Sequence, residues 1–312
     1  MPRILVSGSI AYDRIMDFPG LFKEHFIADK LHNINVSFAV EAFTENFGGT
    51  AGNIGYSLAL LGEEPRIIAT AGADFERYAG HLRSVKVDPT SIKIDLEGST
   101  SSAFIITDQA NNQISAFSMA SGAKSYVPLP GTEAARCAII GAGCVEDMAA
   151  LPGHYRAHGI PYFYDPGQQI PMLSAEQLRD GITGAAGLFC NDYELSLISQ
   201  KTGWDEVEIV AKTAALIVTL GEKGSRIVTK DGEYIVKAVA ISKVVDPTGA
   251  GDAYRAGFIV GFLRGWALQS AAQLGSAVAA YAVEKYGTQN HRFTISELGE
   301  RYQTAYGETL SL

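Results

Sequence analysis

The segment Asp246-Pro247-Thr248-Gly249-Ala250-Gly251-Asp252 sets a carboxylate on either side of a small-residue turn, directly ahead of an apolar helical pattern. A helix start offers backbone N–H groups without intrahelical partners and a partial positive charge. Glycine lets such a backbone approach an anion closely. Gly249, Ala250 and Gly251 therefore read as an anion hole for a phosphoryl group. Asp252, in the first helical turn, reads as a general base for a hydroxyl held nearby. The plain structural alternative is a Gly-rich helix start with a first-turn acid. Asp246 and the apolar stretch Lys243–Asp246, expected to be a strand, narrow that alternative. The turn is not a Walker A loop: GxxxxGK[ST] is absent, and Glu222-Lys223-Gly224-Ser225 has the order scrambled.

Rigid elements must hold those residues. Ile4–Ile10, Arg66–Gly72, Cys137–Gly141, Pro161–Tyr164, Gly187–Cys190 and Ala215–Leu220 are short apolar runs that read as strands buried on both faces. Helical patterns lie between them at Gly52–Leu61, Phe75–Val85, Asp147–His158 and Glu206–Ala214. This alternation predicts a parallel sheet with right-handed crossovers. Helices are expected over Gly251–Gly265 and Leu268–Lys285, where small residues allow close approach. Ile34–Val40 and Ser102–Phe117 break the rhythm and look like amphipathic or paired strands. The second contains the turn Asp108-Gln109-Ala110-Asn111-Asn112 and reads as a hairpin. Residues from about 12 to 47 and about 100 to 120 are expected to form a small sheet placed to act as a lid.

The bulk properties bound the function. With 47% hydrophobic and 19% charged residues, the 312-residue chain has a globular composition and room for a large α/β domain. A net charge of −9 argues against nucleic acid as a partner. No run of 18 apolar residues predicts a membrane span, and the first residues run into a strand without the pattern of a signal peptide. Cys137, Cys144 and Cys190 are odd in number and form no CxxC, so reduced buried thiols in a cytoplasmic protein are expected. His154 and His158 have i,i+4 spacing without an HExxH arrangement and read as exposed helix residues. No GxSxG marks an α/β-hydrolase.

Asp246–Tyr254 resembles the C-terminal signature of the PfkB carbohydrate kinase family, also called the ribokinase family. Phe47-Gly48-Gly49-Thr50-Ala51-Gly52-Asn53 resembles its N-terminal Gly-Gly-x-x-x-Asn signature, and the two lie about 200 residues apart in the expected order. The similarity runs from about residue 4 to about 290. It implies one ribokinase-like domain over 1–312: a three-layer α/β/α sandwich with a mostly parallel central sheet and an inserted β-sheet lid. It also implies ATP and Mg²⁺. Asp252 is similar to the catalytic base, and Gly249, Ala250 and Gly251 to the anion hole. Gly48 and Gly49 match the di-glycine hinge of the lid, and Asn53 and Asp13 the residues that hydrogen-bond sugar hydroxyls. Asn191 and Glu194 match an Asn-x-x-Glu motif whose Glu orders water around Mg²⁺; an N-cap Asn with a first-turn Glu is compatible with this. Thr219, Gly221 and Gly224, within Val218–Ser225, look like the ATP loop, with a plain hairpin turn as the alternative. The family often uses a monovalent cation such as K⁺. Asp246 and the Thr248 carbonyl are the matching ligands, although Pro247 stands where the family frequently has Thr.

Within the family, Gly8–Asp13, Ile34–Phe38, Asn111–Phe117 and Asp165–Gln168 look closest to bacterial nucleoside kinases of adenosine-kinase type. By that resemblance Ser37, Gln113 and Gln168 face a nucleoside, while Phe38 and Phe117 either receive its base or hold the lid strands together. The implied reaction is ATP-dependent phosphorylation of a nucleoside 5′-hydroxyl, with adenosine, inosine and guanosine as candidates. A kinase of a free sugar such as ribose or fructose is the alternative, and a non-catalytic nucleoside sensor a more distant one. A monomer and a homodimer are both compatible with a lid sheet whose edge is exposed.

Overall fold

The computed structural model describes residues 3–26, 35–110, 112–129, 131 and 134–310. The strands are β1 (Arg3–Ser7), β2 (Ala11–Asp17), β3 (Ala42–Gly48), β4 (Pro65–Ile68), β5 (Thr70–Gly72), β6 (Lys93–Asp95), β7 (Ser101–Thr107), β8 (Gln113–Ser118), β9 (Ala135–Ile140), β10 (Tyr162–Tyr164), β11 (Gly187–Asn191), β12 (Leu216–Thr219), β13 (Ser225–Thr229) and β14 (Gly232–Val236). The helices are α1 (Thr50–Leu60), α2 (Glu76–Ser84), α3 (Val145–Ala157), α4 (Ala175–Ile182), α5 (Asp192–Thr202), α6 (Glu206–Lys212), α7 (Ala250–Leu263), α8 (Leu268–Val283) and α9 (Ile295–Tyr306).

Among the described residues, eight strands form the main sheet in the order β14-β13-β12-β11-β10-β9-β1-β4, parallel from β12 to β4 and antiparallel at β13 and β14. Successive side chains on its strands point to opposite faces. Ile4, Val6, Ile139, Phe163, Phe189 and Ile217 join the core covered by α1, α2, α7, α8 and α9. Leu5, Ala138, Ile140, Tyr164, Leu188 and Leu216 join the core beneath α3, α4, α5 and α6. Because both faces are covered, these strands read as continuous apolar runs. The three cysteines are buried and free. On α3, His158 is exposed and His154 half-buried, with ring centroids 4.6 Å apart.

A second sheet, in the order β3-β2-β7-β8, stands beside the first. The predicted hairpin is present as β7 and β8, and the Asp108 carboxylate closes its turn by accepting from the N–H groups of Ala110 and Asn112; Asn111 lies outside the described residues. Two expectations need correction. Ile34 lies outside the described residues, and 35–40 form no strand; pairing in that region starts at Ala42. Lys243–Asp246 is not a strand either, but irregular chain whose Val245 and Asp246 N–H groups both donate to the Val283 carbonyl at the end of α8.

Helices α7 and α8 touch through backbone. A Cβ on Gly257 would lie 2.8 Å from the Gly275 Cα, and one on Gly275 would lie 2.7 Å from the Tyr254 carbonyl oxygen. The helix that starts at the Gly-Ala-Gly turn is thus seated without room to shift. Gly257→Val should lower stability by about 1–3 kcal/mol through overpacking, read as a reduced urea midpoint at unchanged slope.

Candidate active site

The site is built at the carboxyl ends of the parallel strands, where open α/β sheets hold their ligands. Gly249 caps α7 with φ 77°, a conformation that favours glycine, and a Cβ there would lie 2.9 Å from the Thr288 Cβ. The first i→i−4 bond of the helix runs from the Ala253 N–H to the Gly249 carbonyl. The N–H groups of Gly251 and Asp252 therefore precede the helical ladder.

Asn53, on α1, donates from Nδ2 to Asp252 Oδ2 at 2.8 Å. Loss of solvent pushes the Asp252 carboxyl up to about 7; Arg255 and the Asn53 hydrogen bond oppose this, while Asp165 and Asp13 add to it. Arg255 follows Asp252 by three positions and so lies on the same helical face. It is clamped on Asp165, the residue after β10, with Nη2 2.7 Å from Oδ1 and Nε 2.5 Å from Oδ2. Its guanidinium also lies against the Gly251 Cα, where a Cβ would collide with it.

These groups line a cleft of about 1060 Å³ between the two sheets. Its lid wall comes from alternating residues of three strands: Asp13 and Ile15 of β2, Ala103 and Ile105 of β7, and Gln113 and Phe117 of β8. Asp13 is pushed up to about 6, first by burial and then by Asp246. Gly48 packs under the Asp13 carboxylate, where a Cβ would clash. Gly49, at φ 87°, caps α1, so the di-glycine joins lid strand β3 to the main body. Asp246 accepts from the N–H groups of Thr248, 2.9 Å, and Gly287, 3.0 Å. Asn191 and Glu194 form a reciprocal cap at the start of α5, with Asn191 N–H to Glu194 Oε2 at 2.8 Å and Glu194 N–H to Asn191 Oδ1 at 2.7 Å. Both residues line the cleft.

A second pocket of about 720 Å³ adjoins the cleft and shares Thr219, Gly221, Pro247 and Gly251 with it. Gly224 lies on this pocket, and its φ of 95° turns the chain from β12 into antiparallel β13. The hairpin turn and the ATP-loop reading therefore fall on the same residues.

Residues far apart in sequence are thus brought together: Asp13, Asn53, Gln113, Phe117, Gln168, Asn191, Glu194, Thr219, Gly221, Asp246, Thr248 and Asp252 share one cleft. Ser37 and Phe38 do not line it. Ser37 is exposed, and Phe38 packs among Phe18, Phe22, His25 and Phe26 of the lid, its ring 4.9 Å from that of Phe18. For Phe38 the packing alternative describes this structure. Sequence reasoning missed Arg255, Tyr286 and Gln289. The three-residue step from Asp252 could have flagged Arg255; Tyr286 and Gln289 sit in an irregular segment with no local signal.

Residues 1–294 match the family described as pfkB family carbohydrate kinase. The nucleoside kinase of Methanocaldococcus jannaschii is 31% identical over 306 residues, covering 97% of each chain. A solved structure of that protein superposes with TM-score 0.88 at 30% identity, covering 97% of this chain and 99% of that one. The Burkholderia thailandensis nucleoside kinase in complex with inosine superposes with TM-score 0.88 at 35% identity, covering 98% of each chain. The chain belongs to the PfkB family of carbohydrate kinases, with the ribokinase-like α/β fold. It is a phosphotransferase acting on a hydroxyl group.

Two outcomes test the electrostatics. Arg255→Met leaves Asp165 buried without its partner and should cost about 3–5 kcal/mol, whereas adding Asp165→Asn should recover part of that loss in denaturant unfolding. For Asp252, the folded state keeps its proton up to about pH 7, while the unfolded chain releases it near 3.8. Between those values the folded state binds more protons, so this group's contribution to stability falls as pH rises and stays low above 7. Asp252→Asn should therefore melt above the parent at pH 8, with the gap closing toward pH 4, as followed by circular dichroism.

Proposed function

We propose that the chain transfers the terminal phosphoryl group of ATP to the 5′-hydroxyl of a nucleoside, with Asp252 as the general base. The observation that carries this reading is the Asp252 carboxylate, set behind the Gly249-Ala250-Gly251 turn at the junction of the cleft and the adjoining pocket. The similarity to two nucleoside kinases over nearly the whole chain, one of them solved with inosine, supports a nucleoside acceptor.

In this reading Asp13 and Asn53 take the ribose hydroxyls. Gln113, Gln168 and Phe117 meet the base, since amides both donate and accept and the Phe117 ring offers an apolar face. ATP lies along Thr219, Gly221 and Gly224, with its phosphates toward Gly249 and Gly251. Asp252 removes the 5′-hydroxyl proton as the new O–P bond forms, the bond from the γ-phosphorus to its bridging oxygen breaks, and ADP leaves. The helix-start N–H groups and Arg255 offset the phosphoryl charge. Closure about Gly48-Gly49 excludes water that would otherwise consume ATP.

Among the described residues no three His, Cys, Asp or Glu side chains cluster to hold a metal. The donor set fits Mg²⁺ held mainly by phosphates and water, with Glu194 ordering those waters; the ion would draw charge from the phosphates. Asp246 and the Thr248 carbonyl are the proposed ligands of a monovalent cation such as K⁺. Asp246 spends only part of its acceptor capacity on two N–H groups. The product, a nucleoside monophosphate, assigns the enzyme to nucleoside salvage, with purine nucleosides as its proposed substrates.

A steady-state screen of adenosine, inosine, guanosine, cytidine and ribose with ATP and Mg²⁺ tests the acceptor; turnover of ribose with none of any nucleoside would reverse the choice. Asp252→Asn should reduce kcat by at least about 10³-fold while retaining nucleoside binding by calorimetry. In the parent, kcat/KM should fall tenfold per pH unit below about pH 7 as Asp252 takes up its proton.

A further inference from the structure

Gln289 lies in the segment between α8 and α9, only 2% exposed, and is not among the residues lining the cleft. Its amide nonetheless touches three groups that converge on the site. The direction of every proton in that network follows from one fixed point. The Gly48 carbonyl oxygen can only accept, so the Tyr78 hydroxyl, 2.7 Å away, must donate its single proton there. Burial raises the Tyr78 phenol well above its ordinary value, so that proton stays in place. Tyr78 then has only an acceptor to offer Gln289, and Gln289 must turn its Nε2 toward it. Its Oε1 end consequently meets His81 Nε2 at 3.0 Å and accepts from it. The second Nε2 proton reaches Asn53 Oδ1 at 2.9 Å. An Asn53 amide whose oxygen is so engaged has its Nδ2 end toward Asp252 Oδ2, at 2.8 Å. Turned over, Asn53 would set oxygen against the carboxylate, an arrangement that suits only protonated Asp252.

We propose that Gln289 is a positioning residue: locked by Tyr78 and His81, it fixes the Asn53 amide so that its donor end faces Asp252 and holds that carboxylate as an acceptor. The proposal rests on the reading of Asp252 as the base. The same network ends on the Gly48 carbonyl, so the orientation of the base and the seating of the lid junction share one set of hydrogen bonds. The other charged groups facing Asp252 are Arg255 on its own helix, Asp165 after β10 and Asp13 of β2, whereas the hydrogen bonds of the Gln289 side chain go to Tyr78, His81 and Asn53.

The test is the pH dependence of kcat/KM for inosine with ATP and Mg²⁺ in the parent, Gln289→Met and Gln289→Glu, with thermal unfolding of each. Met keeps the volume and loses the donors. The acidic limb should move up by roughly half to one unit, with activity recovering toward the parent by pH 9. Glu presents an acceptor to Asn53, forces the turned-over amide and should cost roughly tenfold or more at pH 7. In an Asn53→Ala background, Gln289→Met should cause no further loss. If the Gln289 variants do not fold, Tyr78→Phe, which removes the fixed point and leaves Gln289 in place, should shift the limb in the same direction. An unmoved limb, or losses that multiply in the Asn53→Ala background, overturns the proposal. Full turnover by Asp252→Asn would instead overturn the reading beneath it, whereas an inactive Asp252→Asn with an unmoved limb in the Gln289 variants removes only the role of Gln289.

Discussion

Burial takes water from the Asp252 carboxylate, and a carboxylate that gives up water resists being charged. The rest of the site answers that conflict. Three sources of positive potential surround the carboxylate: the start of α7, the Asn53 amide and the Arg255 guanidinium. Arg255 would itself be a desolvated charge without Asp165, which carries the balance down to the end of β10. Removing either member of that pair would leave a charge in the interior with nothing to answer it. The result is a carboxyl group poised near neutrality, as the proposed role in proton transfer requires.

The fold meets the geometric side of the same demand. Asp13, Asn53, Asp165 and Asp252 come from a lid strand, a helix start, a strand end and a second helix start, yet they line one cleft. Asn53, Asp165 and Asp252 sit at or beside an element terminus, where a side chain can project beyond the layer, and Asp13 reaches the same cleft from within strand β2. The close backbone contact of α7 with α8 fixes the helix that bears Asp252. The lid hangs from the main body at the Gly48–Gly49 junction, so one wall of the cleft is tied to the body there through a pair of glycines.

Much of this was legible in the sequence because it rests on local rules. The buried strands announced themselves as apolar runs, and the two glycine motifs marked both helix starts. Helices α4 and α9 were not expected, although Ser174 with Gln177 and Thr294 with Glu297 form capping boxes that would have revealed them. Asp13 could pass for a turn residue after β1; only its pairing opposite Asn46 and Ala103 places it mid-strand in the lid. Lys243–Asp246 has the composition of a strand, but its chain is spent on the end of α8. Phe38 carries no signal that separates a ligand-facing ring from one packed among neighbouring rings. Gln289 is the extreme case, since its meaning depends on partners more than 200 residues away.

The cleft has a further property in its charge. Arg255 is the only lysine or arginine among the described residues that line it, whereas Asp13, Asp17, Asp192, Glu194 and Asp246 join Asp165 and Asp252 in giving it an acidic lining. A neutral acceptor enters such a place without electrostatic cost. Phosphorylation turns it into an anion within the same walls. Once the spent phosphoryl donor departs, like charge presses the phosphorylated product outward. The chemistry converts its own substrate into something the chamber repels, so the acidic lining supplies a direction to turnover as well as a place for it.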